Sequence, residues 1–249
     1  MNDQNRFQAQ AIPAGNTMDM SVDAGLRSFM LGVYNKMGLG LVLSGILAYI
    51  TSSVPAVRDM LFVAADGRVG YTTLGMIVAF SPMAILLVSM FAMRNPSKTG
   101  ANLLYWTIVT LIGAGLGVLA LRYTGQSLAS TFFITASAFG ALSLWGYTTK
   151  RDLTGFGSFL IMGMFGLILA SIVNIFLQSP MIMFVISGLG VLIFSGLIAF
   201  DTQRLKFEYY YLKGDHTAMS VATSMGALSL YLNFINLFQF LLTFLGDRE

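Results

Sequence analysis

Seven long apolar runs alternate with short polar segments along the chain, and each run approaches the ~20 mostly apolar residues that a helix needs to cross a bilayer. The runs are 30–52, 74–93, 103–121, 127–148, 155–177, 181–200 and 224–246. Most of the connections are too short for a separate domain, so the pattern predicts an all-α, polytopic membrane protein with one seven-helix bundle over residues 27–249. Residues 1–26 are polar and lack the apolar core of a secretory signal, and we expect a mobile cytoplasmic tail there.

The two longest connections are expected to differ in structure. Residues 53–73 include Pro55, Asp66 and Gly67 and are expected to form an ordered loop. The sixth helix is expected to continue past Asp201 and to turn near Gly214.

Charge and composition narrow the classes of function. Ten of the 14 Lys and Arg residues fall on one side of this threading, which predicts a cytoplasmic N-terminus and an external C-terminus. The net charge of +3 comes from scattered residues, so nucleic-acid binding is not expected. There is no Cys and His216 is the one His, and zinc-protease and P-loop motifs are missing, so we expect neither an enzyme nor a bound cofactor.

Asp201 directly follows the apolar run of the sixth helix, and an acid at the edge of a hydrocarbon layer is a functional candidate by default. The second and sixth helices run in the same direction, so Arg94, which ends the second helix, reaches the same membrane face and can pair with Asp201. Two alternatives stay open. Asp201 can be an interfacial residue beside Arg204 and Lys206, and Arg94 can extend to the lipid headgroups.

A polar stripe marks the seventh helix. Its members, at spacings that keep them on one helical face, are Ser229, Asn233, Asn236 and Gln239. Unpaired amides facing lipid are costly, so the stripe is expected to face other helices or a water-filled path, and the seventh helix is expected to lie centrally. The alternative is that these side chains only bond neighbouring helices. Lys36, early in the first helix, is expected to snorkel to the membrane surface.

Four segments, in this order, resemble the Bax inhibitor-1, or transmembrane Bax-inhibitor-motif, family: GLRSFMLGVYNKMGLGL, TTKRDLTGFGSFLIMGMFGLILASIVNIF, GLIAFDTQRLK and GALSLYLNFINLF. The resemblance covers nearly the whole chain after Asp23, and the first two segments resemble the bacterial branch. It implies six helices around a central seventh, a location in the bacterial inner membrane, and a calcium leak whose opening depends on pH.

The resemblance also implies a gate made of two aspartates and a latch arginine. Asp201 matches one aspartate, Arg94 matches the arginine, and Asn233 stands where the family's LYLDFINLF pattern has the second aspartate. Two carboxylates at one site share a proton, whereas an amide donates to a charged acid, so we expect Asp201 to stay ionised near neutral pH and pH sensing to be weakened or shifted. Asn236 is assigned with these residues to the predicted ion pathway.

Calcium prefers 6–8 oxygen ligands, so its binding at Asp201 is expected to be weak and transient, and passage of protons or another cation stays open. The same resemblance implies an alternative function: some bacterial relatives bind and restrain a membrane-anchored ATP-dependent protease, with the N-terminal tail as a candidate contact. A structural membrane protein without transport is the third possibility.

Overall fold

The computed structural model describes residues 23–65, 68–93 and 95–247. The elements are α1 Ala24–Ser53, α2 Pro55–Leu61, β1 Phe62–Ala65, β2 Arg68–Tyr71, α3 Thr73–Ala92, α4 Lys98–Ala120, α5 Gly125–Thr148, α6 Thr154–Leu177, α7 Pro180–Leu212 and α8 His216–Leu245. Seven helices in this described part are long and apolar enough to cross a membrane, one over each predicted span. Three of them, α1, α4 and α8, begin five to eight residues before the predicted apolar runs at 30, 103 and 224. The prediction of an all-α polytopic membrane protein is confirmed.

Side-chain caps explain why most long helices begin where they do. An Asp, Ser or Thr before the helix accepts a hydrogen bond from a backbone N–H of the first turn at six starts, namely Asp23, Thr72, Ser97, Thr124, Ser179 and Asp215. With Asp23 as its cap, α1 begins at Ala24, earlier than the expected bundle boundary at 27. Residues 1–22 lie outside the described part, so the predicted mobile tail stays a prediction.

The two longer connections differ as expected, but one contains more regular structure than predicted. As predicted, α7 continues past Asp201 to Leu212, and Gly214 makes the turn with a positive φ of 103°. The segment expected to be an ordered loop instead forms α2 and an antiparallel hairpin in which Phe62 pairs with Tyr71. Alternation over four residues is too short to distinguish a strand from a loop, although the Asp-Gly pair at 66–67 is a known hairpin signal.

Hydrogen bonds hold this hairpin against the bundle. The Arg122 guanidinium donates to the Val69 carbonyl from Nε and Nη2, at 2.9 and 2.6 Å. The Tyr71 hydroxyl donates to the Gly115 carbonyl of α4 at 3.2 Å. The hairpin therefore covers the end of the bundle where α4 finishes and α5 begins.

Two helices form the centre of the bundle. α8 packs against α1, α4, α5 and α7, and α7 packs against α5, α6 and α8. α3 packs mainly on α4 and α6 on α7, so their apolar side chains face outward; Phe91 is 80% and Phe176 83% exposed. α8 is central, as expected, but α7 shares the centre, and α3 and α6 are peripheral rather than equal members of a ring.

The helices alternate in direction, so the bundle has two distinct ends. At one end, called here the N-terminal side, Asp23 before α1 meets Lys213 after α7 at 3.1 Å. At the far side, the Thr124 amide before α5 donates to the Asp247 carbonyl after α8 at 3.2 Å. The first and last described residues lie at opposite ends, as an odd number of spans requires. Which end faces the cytoplasm stays a prediction from the distribution of Lys and Arg.

Candidate functional site

The candidate site lies where α7 and α8 pack closely. Gly226 allows this approach, because a Cβ added there would lie 2.4 Å from a methyl group of Leu205 on α7. Ser229 and Asn233 follow on α8, one turn apart and on the same face. The short distance between the helix axes brings both side chains to Asp201.

Asp201 is buried, with 4% of its surface exposed, and both of its carboxylate oxygens have partners. The Ser229 hydroxyl and the Asn233 amide each donate to Oδ2 at 2.7 Å. Arg204, one turn further along α7, pairs with Oδ1 at 3.0 Å. The hydrogen bond expected between the Asn233 amide and Asp201 is therefore present.

These contacts stabilise a buried negative charge, which would be energetically costly without partners. A buried ion is tolerated when it is paired and its remaining lone pairs are hydrogen-bonded, and both conditions hold for Asp201. The alternative in which Asp201 is an interfacial residue beside Arg204 and Lys206 stays open, since the residue is buried yet pairs with Arg204. Its neighbour Arg204 does remain accessible, with 46% of its side chain exposed.

A cavity between α7 and α8 lies beside the partners of this carboxylate. It has a volume of about 710 Å³ and is lined by Arg204, Glu208 and Tyr211 of α7 together with Ser229 of α8. Arg204 and Ser229 both line the cavity and bond Asp201, and Arg204 also donates to the Ser229 hydroxyl at 3.3 Å. The Glu208 side chain lines the cavity directly, whereas Asp201 lies behind Arg204 and Ser229 and does not line it.

The other predicted site residues are placed differently. Asn236 donates to the Leu232 carbonyl of its own helix at 2.8 Å, which agrees with a packing role and not with direct contact to Asp201. Arg94 lies outside the described residues, so its pairing with Asp201 stays a prediction. In the described part of the chain, the guanidinium that meets Asp201 is that of Arg204. α3 and α7 both end on the N-terminal side, which is the threading that the prediction required.

Polar residues that follow Asp201 on α7 fix the adjacent loop. The Gln203 amide donates to the Arg151 carbonyl and accepts from the Leu153 amide, both at 2.8 Å. Lys206 is 9% exposed and donates to the Tyr147 carbonyl of α5 at 3.0 Å. Sequence analysis missed these roles. The signal was five polar residues within the six positions that follow the apolar run, 201–206, on a helix already expected to continue.

Lys36 also has a different environment from the one predicted. Instead of extending alone to the membrane surface, its ammonium donates to Asn102 Oδ1 of α4 at 2.6 Å and to Ser224 Oγ of α8 at 2.7 Å. It also lies 5.1 Å from the centre of the Tyr105 ring. The side chain therefore links α1 to α4 and α8.

Within the described residues, no three His, Cys, Asp or Glu side chains come together where they could hold a metal ion jointly. Few oxygen ligands are therefore available for the predicted weak and transient calcium binding at Asp201. The oxygen-bearing side chains at or beside the cavity are those of Asp201, Glu208, Tyr211, Ser229 and Asn233.

Fold and site together define a polytopic helical membrane protein with a buried acid held between its two central helices. The chain belongs to the family described as "Inhibitor of apoptosis-promoting Bax1", whose model matches residues 26–249. The resemblance seen in the sequence motifs is confirmed.

Three similar proteins are bacterial. An uncharacterized protein of Caulobacter vibrioides is 68% identical over 250 residues, covering 100% of both chains. An uncharacterized protein of Rickettsia prowazekii is 45% identical and covers 91% of this chain and 92% of its own. The inner membrane protein YbhL of Escherichia coli is 40% identical and covers 91% of this chain and 94% of its own. Of the three, YbhL is named as an inner membrane protein, which supports that location for this chain.

Proposed function

We propose that this protein is a calcium or cation leak channel gated at Asp201, with a pH response that is weak or shifted because residue 233 is an asparagine. The strongest support is the position of Asp201, a buried carboxylate between the two central helices whose partners Arg204 and Ser229 line a cavity. Intramembrane acids at such positions mark ion and proton pathways.

A closed gate fits the packing beyond Asp201. Toward the far side, apolar residues of α7 and α8 are buried: Phe194, Ile198, Phe234 and Leu237 are each no more than 5% exposed. Phe194 of α7 stacks on Phe240 of α8, with ring centres 5.7 Å apart. A hydrated cation cannot pass through such a layer. Conduction therefore requires α7 and α8 to separate, and the bonds from Ser229 and Asn233 to Asp201 oppose that separation.

The pH response follows from the chemistry of the pair. Asn233 Nδ2 lies 2.7 Å from Asp201 Oδ2, a distance at which two carboxylates would share a proton. An amide does not titrate in this range, so this pair has one carboxylate in place of two. Arg204 and Glu208 are the charged neighbours on α7, and they modify but do not recreate a shared proton.

Calcium flux into dye-loaded liposomes between pH 5 and 8 tests the proposal. We expect a shallow pH dependence for the native chain, a steep one for Asn233→Asp, and a changed basal flux for Asp201→Asn. Asn236→Asp is the matched control, because it adds a carboxylate three residues away on the same helix without contact to Asp201. Steep pH dependence in the native chain, or equal effects of the two Asn→Asp changes, would contradict the proposed gate.

The alternative, a partner of a membrane-anchored ATP-dependent protease, becomes the better proposal if the native chain and Asn233→Asp both show no flux above empty liposomes. Pull-down of that protease from detergent-solubilised membranes, with and without residues 1–22, then tests it directly. Loss of capture on deletion would support the tail as the contact.

A further inference from the structure

A second cavity lies on the N-terminal side of the bundle, away from the Asp201 site. It is enclosed by α1, the first turns of α4, and the turn between α7 and α8, and its volume is about 830 Å³. Its wall carries three lysines, Lys36, Lys98 and Lys213, and also His216. This volume is in the usual range for a small-molecule site.

Lys36 lies deepest in the membrane among these lysines. It is twelve residues into α1, or about 18 Å along the helix from Ala24 at the usual rise, and it is half-buried. Both of its hydrogen-bond partners, Asn102 and Ser224, are neutral. In the part of the chain that the structure describes, no carboxylate is within ion-pair distance of Lys36.

The mouth of the cavity is also basic. Lys98 and His216 are exposed there. Lys213 is paired with Asp23, at 3.1 Å, and is largely neutralised by it. Asp215 is the acid on the cavity wall, and its Oδ1 accepts from the amides of Thr217 and Ala218 at 2.9 Å as the cap of α8. The three lysines and the two acids, Asp23 and Asp215, together leave one net positive charge. A protonated His216 would add a further positive charge.

Ser220, Thr223 and Ser224 of α8, with Thr99 and Asn102 of α4, line the space between mouth and floor. The Thr223 and Ser224 hydroxyls donate to the carbonyls of Met219 and Ser220. The donors beside the Lys36 ammonium are therefore the hydroxyls of Ser220 and Thr99 and the Asn102 side-chain amide. A half-buried ammonium with neutral partners, surrounded by donors and open to water at one end, is suited to a negatively charged oxygen ligand.

We propose that this cavity is a binding site for a phosphate-type oxyanion, with Lys36 as the charged floor and Lys98 as the charge at the mouth. Two sources share this chemistry: the headgroup of an anionic phospholipid, entering from the membrane surface, and a free phosphate anion from water. Basic pockets between transmembrane helices at the membrane surface bind lipid headgroups in this way.

Equilibrium binding to the full chain in phosphatidylcholine nanodiscs tests the site with three probes. Inorganic phosphate represents the free anion, dioctanoyl phosphatidic acid the lipid headgroup, and dioctanoylglycerol the same lipid without phosphate. The variants are Lys36→Gln and Lys98→Gln, with Lys150→Gln as the matched control. Lys150 is an exposed lysine after α5 on the same side of the bundle, outside the cavity, so it loses the same charge.

We expect Lys36→Gln to weaken phosphate-type binding about ten-fold or more, the change typical of one lost charge-assisted hydrogen bond. Lys98→Gln should weaken it less, Lys150→Gln by under about two-fold, and added salt should weaken it in the native chain. Lys36-dependent binding of inorganic phosphate identifies a free-anion site, whereas binding of phosphatidic acid alone identifies a headgroup site. Dioctanoylglycerol should not bind at this site.

The proposal is overturned if neither phosphate probe binds, or if Lys36→Gln and Lys98→Gln bind as the native chain does. Lys36 would then only link α1, α4 and α8. Should Lys36→Gln not fold, Lys98→Gln decides, since its side chain is exposed and carries no packing. Lys36→Arg, which keeps the charge, should retain binding in that case.

Discussion

Replacing Asn233 by leucine removes one of the two hydrogen bonds to Asp201 Oδ2 while keeping a side chain of similar shape in a site that is 6% exposed. A hydrogen bond to a charged group contributes about 1.5–3 kcal/mol in water-soluble proteins. In a membrane bundle, polar contacts between helices contribute about 0.6 kcal/mol on average and up to ~1.7 kcal/mol. In the variant, Asp201 keeps its contacts with Ser229 and Arg204, so its negative charge still has partners. We therefore expect a loss of about 1–2 kcal/mol in the free energy of unfolding.

The same helix offers a matched control. Asn236 donates to the Leu232 carbonyl, which the helix backbone already engages, so Asn236→Leu should change the free energy of unfolding by less than about 0.5 kcal/mol. Reversible unfolding in mixed micelles, followed by circular dichroism, gives both values. A double-mutant cycle with Asp201→Leu should return a coupling energy of about 1 kcal/mol for the Asn233 pair.

Equal losses for Asn233→Leu and Asn236→Leu would refute this reasoning, as would a coupling energy near zero in the cycle. Either result would mean that the amide stabilises the bundle through packing and not through the carboxylate. The proposed closing of the gate by bonds between α7 and α8 would then lose its energetic basis.

Two further predictions concern packing and pH. Gly146→Ala should lower the midpoint of thermal unfolding, because the new Cβ would lie 2.2 Å from the Ala199 carbonyl oxygen of α7, whereas Gly140→Ala, with no atom within 4 Å, should not. The pKa of Asp23 is held below its ordinary value by the backbone amide of Leu26 and then by Lys213, and the pKa of Lys213 is raised by the hydrogen bond from its ammonium to Asp23. The stabilisation should therefore be full between the two titrations and be lost as pH falls through the lowered pKa of Asp23 or rises through the raised pKa of Lys213. The difference in unfolding midpoint between the native chain and Asp23→Asn, measured against pH, should vanish at acid pH, and a constant difference would contradict the pairing.

The spans were predictable because the signal that defines them is local, whereas α1, α4 and α8 begin five to eight residues before the predicted apolar runs. About 20 apolar residues define a spanning helix wherever it packs. A side chain such as Asp23 caps a helix whose first turn directly follows it. The continuation of α7 past Asp201 to a turn at Gly214 was predictable for the same reason, since glycine accepts the positive φ observed there.

The candidate site was predictable only in part. Asp201 stood out because a single acid follows a long apolar run, and Asn233 because it interrupts a family pattern. Which other side chains contact Asp201 and Asn233 depended on the rotation of α7 and α8 about their axes and on their relative position along the bundle. The Ser229 hydroxyl donates to Asp201, whereas Asn236, on the same polar stripe, donates to the Leu232 carbonyl of its own helix.

The amino-acid sequence by itself determined seven spanning helices, their order, and the membership of a family, because hydrophobicity and capping act over a few neighbouring residues. Only the tertiary structure decided that Lys36 meets Asn102 and Ser224, residues 66 and 188 positions away. Such meetings depend on where small residues let helices approach: Gly226 sets the spacing of α7 and α8 at Leu205. That spacing depends on the whole packed bundle, and no single segment of the sequence contains it.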